Sequence, residues 1–145
     1  MRHWLCGWCA LAVIGLGLVG CGDEYKPKEG VIVTGMVIKG GKPMEVPRQD
    51  VGFGHVEVRL VPEAGGPIST YADKDGKFQI LGAGAGIPPG NYRLAVSLQD
   101  NGWNSDGLKG EFSDTASRIK VEIPKEKQGG SHDLGVMDLD NFQKK

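Results

Sequence analysis

Cys6 and Cys9 stand in a Cys-x-x-Cys spacing, the arrangement that serves redox exchange or metal ligation. Both lie inside an apolar run from Trp4 to Val19 that holds no Asp, Glu, Lys or Arg, so they are expected to leave with a discarded leader. The third cysteine, Cys21, follows that run directly and offers a soft nucleophilic thiol. Beyond it stand His55 and His132, and neither has the Glu three places on that a zinc peptidase helix carries. Glu57 is two places from His55, on the same side of a strand, and the plain reading is an exposed strand histidine. Asp73 and Asp75 have the spacing that opens a calcium loop, but the twelfth loop position falls on Gly84, so a turn is expected. The run Gly82-Ala83-Gly84-Ala85-Gly86 lacks the Lys-Ser/Thr of a phosphate loop and reads as a flexible loop. No Gly-x-Ser-x-Gly elbow occurs. Trp103 sits in a polar stretch with Asn101, Gly102, Asn104 and Asp106, where an indole can stack on a sugar ring or anchor a protein contact. Alternatively Trp103, Leu108 and Phe112 fold back and cover an open sheet end.

The elements that must hold these residues are strands. Of 145 residues 24 are glycine, more than twice the usual share of ~7%, and helical periodicity is hard to find after residue 30. Period-two alternation recurs instead. It runs from Val31 to Lys39, then through His55–Leu60 with Val56, Val58 and Leu60 inward. It returns at Ile68–Ala72 and at Phe78 and Ile80, with Asp73-Lys74-Asp75-Gly76 as the turn between. Pro88-Pro89-Gly90 launches the clearest strand, with Tyr92, Leu94, Val96 and Leu98 facing one way and Arg93, Ala95 and Ser97 the other. Arg118–Ile123 alternates again, and Leu134, Val136 and Leu139 form the last strand, with an irregularity near Met137. Seven short strands with turns between them predict an all-β, seven-stranded antiparallel Greek-key sandwich. A formal net charge of −1 gives no electrostatic footprint for nucleic acid, and 39% hydrophobic residues exclude both a polytopic membrane protein and a disordered tail.

Arg2 and His3, the apolar run and the small residue Gly20 have the layout of an export signal. The run is shorter than the ~20 residues of a spanning helix, and Gly7, Gly15 and Gly17 weaken it as one. Leu18-Val19-Gly20-Cys21 resembles the bacterial lipobox. That resemblance implies a thiol diacylated with palmitate-type chains, cleavage before Cys21 and anchoring by two or three acyl chains, which hold where one does not. Residues 1–20 are then the lipoprotein signal peptide and 21–30 a lipidated polar tether. Asp23 stands one place later than the position that favours inner-membrane retention in enteric bacteria, so the outer membrane is favoured.

Val33-Thr34-Gly35-Met36-Val37 with Gly41-Lys42-Pro43, then Asp73-Lys74-Asp75-Gly76-Lys77-Phe78, then Ile87-Pro88-Pro89-Gly90-Asn91-Tyr92 follow in order. Together they resemble the "V-x-G-x-V … G-K-P", "D-x-D-G-x-F" and "P-P-G-x-Y" of carboxypeptidase regulatory-like domains, a transthyretin-like (prealbumin-like) sandwich. Asp106–Ser113 and Asp133-Leu134 resemble a pattern of small planctomycete lipoproteins of this kind. The resemblance covers 31–140 and leaves 141–145 as a polar tail. In that family the motif residues are architecture, not catalysis. The Tyr-Arg-Gly-Ser ending of transthyretin-like hydroxyisourate hydrolases is absent.

The expectation is therefore a non-enzymatic, lipid-anchored module of the bacterial cell envelope, periplasmic or surface-facing, with no cofactor and no metal. It binds, docks or scaffolds; its partners are the membrane, through Cys21, and an envelope protein or glycan. The alternative is a carbohydrate- or small-ligand-binding lipoprotein that uses loops at the sandwich end, with Trp103 the candidate contact. A metal-dependent role through His55 or His132 is the third class.

Overall fold

The computed structural model describes residues 29–100 and 105–143. Seven strands form two sheets: β1 (Ile32–Ile38), β2 (His55–Pro62), β3 (Ile68–Ala72), β4 (Lys77–Ile80), β5 (Gly90–Gln99), β6 (Ile119–Ile123) and β7 (Ser131–Asp138). The smaller sheet has the order β4-β1-β7 and the larger β3-β2-β5-β6. Val56, Val58 and Leu60 of β2 and Leu94 and Val96 of β5 point between the sheets. They meet Val33, Val37, Phe78 and Ile80 of the smaller sheet, and all of these are buried. Period two at these positions is the sequence trace of one buried face per sheet.

The antiparallel expectation fails at one pair. β1 and β7 run parallel, with Ile32 opposite Ser131 and Ile38 opposite Asp138. A parallel neighbour needs a long crossover. The first and last strands have the rest of the domain between them, so the chain meets that demand with no special connection. The irregularity expected near Met137 lies just before it: the β1–β7 register shifts between Thr34 and Met36, opposite the stretch that holds Gly135, whose φ is 70°.

Chain direction gives the sandwich two unlike ends. At the near end the chain comes in at Gly30, whose carbonyl accepts from Gly129 N–H at 2.8 Å. A Cβ on Gly30 would lie 2.3 Å from the Gly86 carbonyl carbon, so only glycine allows this crossing. The 81–86 run is not the loose loop its composition implies. Gly84 and Gly86 N–H both donate to Leu81 O at 3.1 Å, and the turn delivers the fully buried Ile87 to bridge Val31. At the far end lie the 73–76 turn, the segments 39–54, 99–100 and 105–117, and the C-terminal turn Leu139–Phe142.

Candidate functional site

Cys21 and Trp103, the two residues singled out by sequence for lipid attachment and for ligand contact, lie outside the described residues. The structure separates the histidines. His132 faces Val33 near the chain's point of arrival, whereas His55 faces Gln99 at the far end of the other sheet. His55 packs edge-on against Tyr71, centroids 4.4 Å apart. Among the described residues no group of three His, Cys, Asp or Glu lies close enough to hold a metal ion. Asp73 is spent on its own turn, its Oδ1 accepting from the N–H groups of Asp75 and Lys77 at 2.9 Å. Gly76 adopts a φ of 82° there, and a Cβ would sit 2.3 Å from Val37 O.

The 105–117 segment is built into the fold. Asp106 accepts from the N–H groups of Leu98, Leu108 and Gly110, each at 2.9 Å. Phe112 O accepts from Val96 N–H at 2.9 Å, so the segment continues the edge of β5 where β6 ends. Leu108 and Phe112 are buried, as the fold-back reading expected of them. Asp114 then reaches over the outer face of the large sheet. Its Oδ1 takes Arg59 Nε at 2.7 Å, while Arg59 Nη1 donates to Glu57 Oε2 at 2.7 Å. Burial works against charge on Arg59, but the hydrogen bonds and charges of Asp114 and Glu57 outweigh it and hold the guanidinium pKa above its ordinary value. Arg59 is thus a paired cation that pins a loop. The pair also explains why Ala95 and Ser97, on the nominally wet side of β5, are buried.

A groove of about 710 Å³ is lined by β1, β4 and β7 of the small sheet and by Thr70 and Tyr71 of β3, the edge strand of the large one. Thr34, Gln79 and Asp133 supply a hydroxyl, an amide and a carboxylate, with Tyr71 and Val136 beside them. Tyr71 and Val136 are each 62% exposed, unusual for large apolar side chains in strands. Phe78 comes up under Gly35, where a Cβ would stand 2.9 Å from its ring. Hydrogen-bonding groups around an exposed aromatic ring suit a polar ligand with one flat apolar face. Sequence reasoning missed this groove because its walls come from β1, β3, β4 and β7. The available signal was an aromatic and a valine at outward positions of otherwise polar faces.

No protein-family model matches the chain, and no curated protein matches it significantly. What the described residues define is a two-sheet, seven-stranded β-sandwich.

Proposed function

We propose that this protein is a lipid-anchored, non-enzymatic module of the bacterial cell envelope that docks or scaffolds at the membrane surface. The observation that carries the reading is Leu18-Val19-Gly20-Cys21 directly behind a charge-free apolar run with Arg2 before it. Acylation of Cys21 would hold the sandwich close to the bilayer, because residues 21–28 fully extended span at most about 28 Å. The domain is read as transthyretin-like, of the carboxypeptidase regulatory-like kind, with Greek-key connections. Supporting that are the three motifs, which fall on β1, on the β3–β4 turn and at the start of β5. Asp23 in place of an aspartate at 22 favours the outer membrane.

Intact mass of the native polypeptide tests the anchor. The expected product starts at Cys21 with added fatty chains and partitions into detergent, and Cys21→Ala abolishes both features. A product that keeps its apolar leader, or one that starts later without lipid, sinks the reading.

The second reading, a lipoprotein that binds carbohydrate or another small ligand, is favoured by the Tyr71 groove, in addition to the Trp103 loop. A glycan array with the wild type, Tyr71→Ala and Trp103→Ala assigns any binding to one surface or the other. An array silent for the wild type removes this reading.

A further inference from the structure

Among the described residues β6 is the free edge of the large sheet, and its open side carries two charges of opposite sign. The direction of its backbone groups follows from β5. Val96 N–H reaches Phe112 O and Leu98 N–H reaches Asp106, so the even-numbered residues of β5 turn their backbone groups toward β6. Tyr92 faces Val121 and Leu94 faces Ile119 in register, so those pairs share the ladder hydrogen bonds. Alternation then turns the N–H and C=O groups of Lys120 and Glu122 to the open side. Among the described residues nothing accepts from or donates to them there.

The side chains add a second observation. Lys120 stands directly opposite Arg93, a like-charge pair that costs stability. Among the described residues Lys120, Glu122 and Arg93 are in no ion pair, and all three are exposed.

We propose that two copies of this chain pair antiparallel through β6, about a two-fold axis at Val121. Lys120 of each copy then faces Glu122 of the other. These are the residues whose backbone groups are free, so the ion pairs and the new ladder hydrogen bonds coincide. Ile119 then stands in register with Ile123 of the other copy, each side chain staying buried in its own core, and the two large sheets become one. Charge selects this register. An axis at Lys120 sets that lysine against its own copy. An axis at Glu122 does the same to the glutamate and places Pro124, which has no N–H, opposite Lys120. Charge along an edge usually wards off pairing; here the signs alternate within β6, and one closed arrangement pairs Lys120 and Glu122 of both copies. The contact is a short strand pair, so the association is weak in solution. Anchoring in one membrane would strengthen it by raising the local concentration.

The test is sedimentation equilibrium of the chain from residue 21 carrying Cys21→Ser, which retains the whole sandwich and needs no lipid, so it stands apart from the anchor reading. From about 10 μM to about 1 mM the chain is expected to pass from monomer to dimer. K120E and E122K each weaken self-association about tenfold or more, because each turns two attractive cross-strand pairs repulsive. Mixed one to one, the two variants restore the dimer, as does the double variant K120E/E122K. Circular dichroism confirms that each variant is folded. A wild type monomeric throughout, or a dimer indifferent to these substitutions, overturns the proposal, as does a mixture that stays monomeric.

Discussion

The segments 43–54 and 105–117 leave the same end of the sandwich, and they are held in opposite ways. The second is sewn down along its length, by Asp106 on three backbone N–H groups, by buried Leu108 and Phe112, and by Asp114 on Arg59. The first is fastened at its base, where Asp138 accepts from the N–H groups of Gly40 and Gly41. Met44 and Val46 still lean on the core, but at its tip Val51 and Phe53 are each 57% exposed. The Arg48 guanidinium rests over the Phe53 ring at 4.7 Å. Two stretches of similar length thus differ in kind. One completes a sheet edge that β6 leaves unfinished, and the other leaves apolar surface free for contact.

Substitutions that remove these fastenings measure the difference, and Phe112→Ala gives the largest effect. It empties a fully enclosed site and is expected to cost about 3–5 kcal/mol in urea unfolding. A loss under about 1 kcal/mol would mean that the 105–117 segment is no better held than its neighbour. Asp106→Ala comes next, because three N–H groups lose their acceptor together. About 1–3 kcal/mol is expected, with faster amide exchange at Leu98, Leu108 and Gly110. Unchanged exchange at those amides would show that the carboxylate does not hold the segment.

The base of the first segment is expected to weaken on the acid side. Hydrogen bonds from the N–H groups of Asp140, Gly41 and Gly40, with the charge of Lys39, hold the Asp138 carboxyl below its ordinary value of 3.8. Folding therefore favours the ionised form. The stabilisation is complete above the ordinary value and fades as pH falls through the lower folded value. Asp138→Asn should flatten that acid-side loss in a series of melts at stepped pH, with little change in its shape near neutrality. Parallel melting curves for the two proteins below pH 4 would remove Asp138 from the account. Phe53→Ala is the smallest: its ring is exposed, so stability should move by no more than about 0.5 kcal/mol. A larger drop would show that the tip is architecture after all, and the contrast between the two segments would dissolve.

Much of the core was legible because a strand with one wet face writes its burial in period two. Val56, Val58 and Leu60 read inward from the sequence and are buried, and so are Phe78 and Ile80. Tyr92, on the inward face with Leu94 and Val96, buries its ring, and its hydroxyl donates to Pro88 O at 2.7 Å. The 82–86 stretch misled because glycine content signals freedom, whereas the Leu81 carbonyl and the Gly30–Gly86 crossing use that freedom to build one turn. Ala95 and Ser97 misled for another reason. Alternation assigns them to solvent, and Asp114 covers them from a distant part of the chain by way of Arg59. The Tyr71 groove left almost no trace, since each wall contributes only two or three residues that look ordinary within their own strand.

Local residue pattern alone determined that this chain makes strands, where most of its turns fall, and which side of β2 and β4 goes inward. Those choices depend on neighbours within a few residues: the pleat, the φ that glycine permits at the 73–76 turn, and the stop that a proline imposes. Tertiary structure decided that β7 lies parallel to β1, that β6 ends early and leaves Lys120 and Glu122 on an open edge, and that Thr34, Tyr71 and Asp133 share one groove. These are contacts between residues far apart in the chain, and they are set by packing and by charge across strands, which no local periodicity encodes.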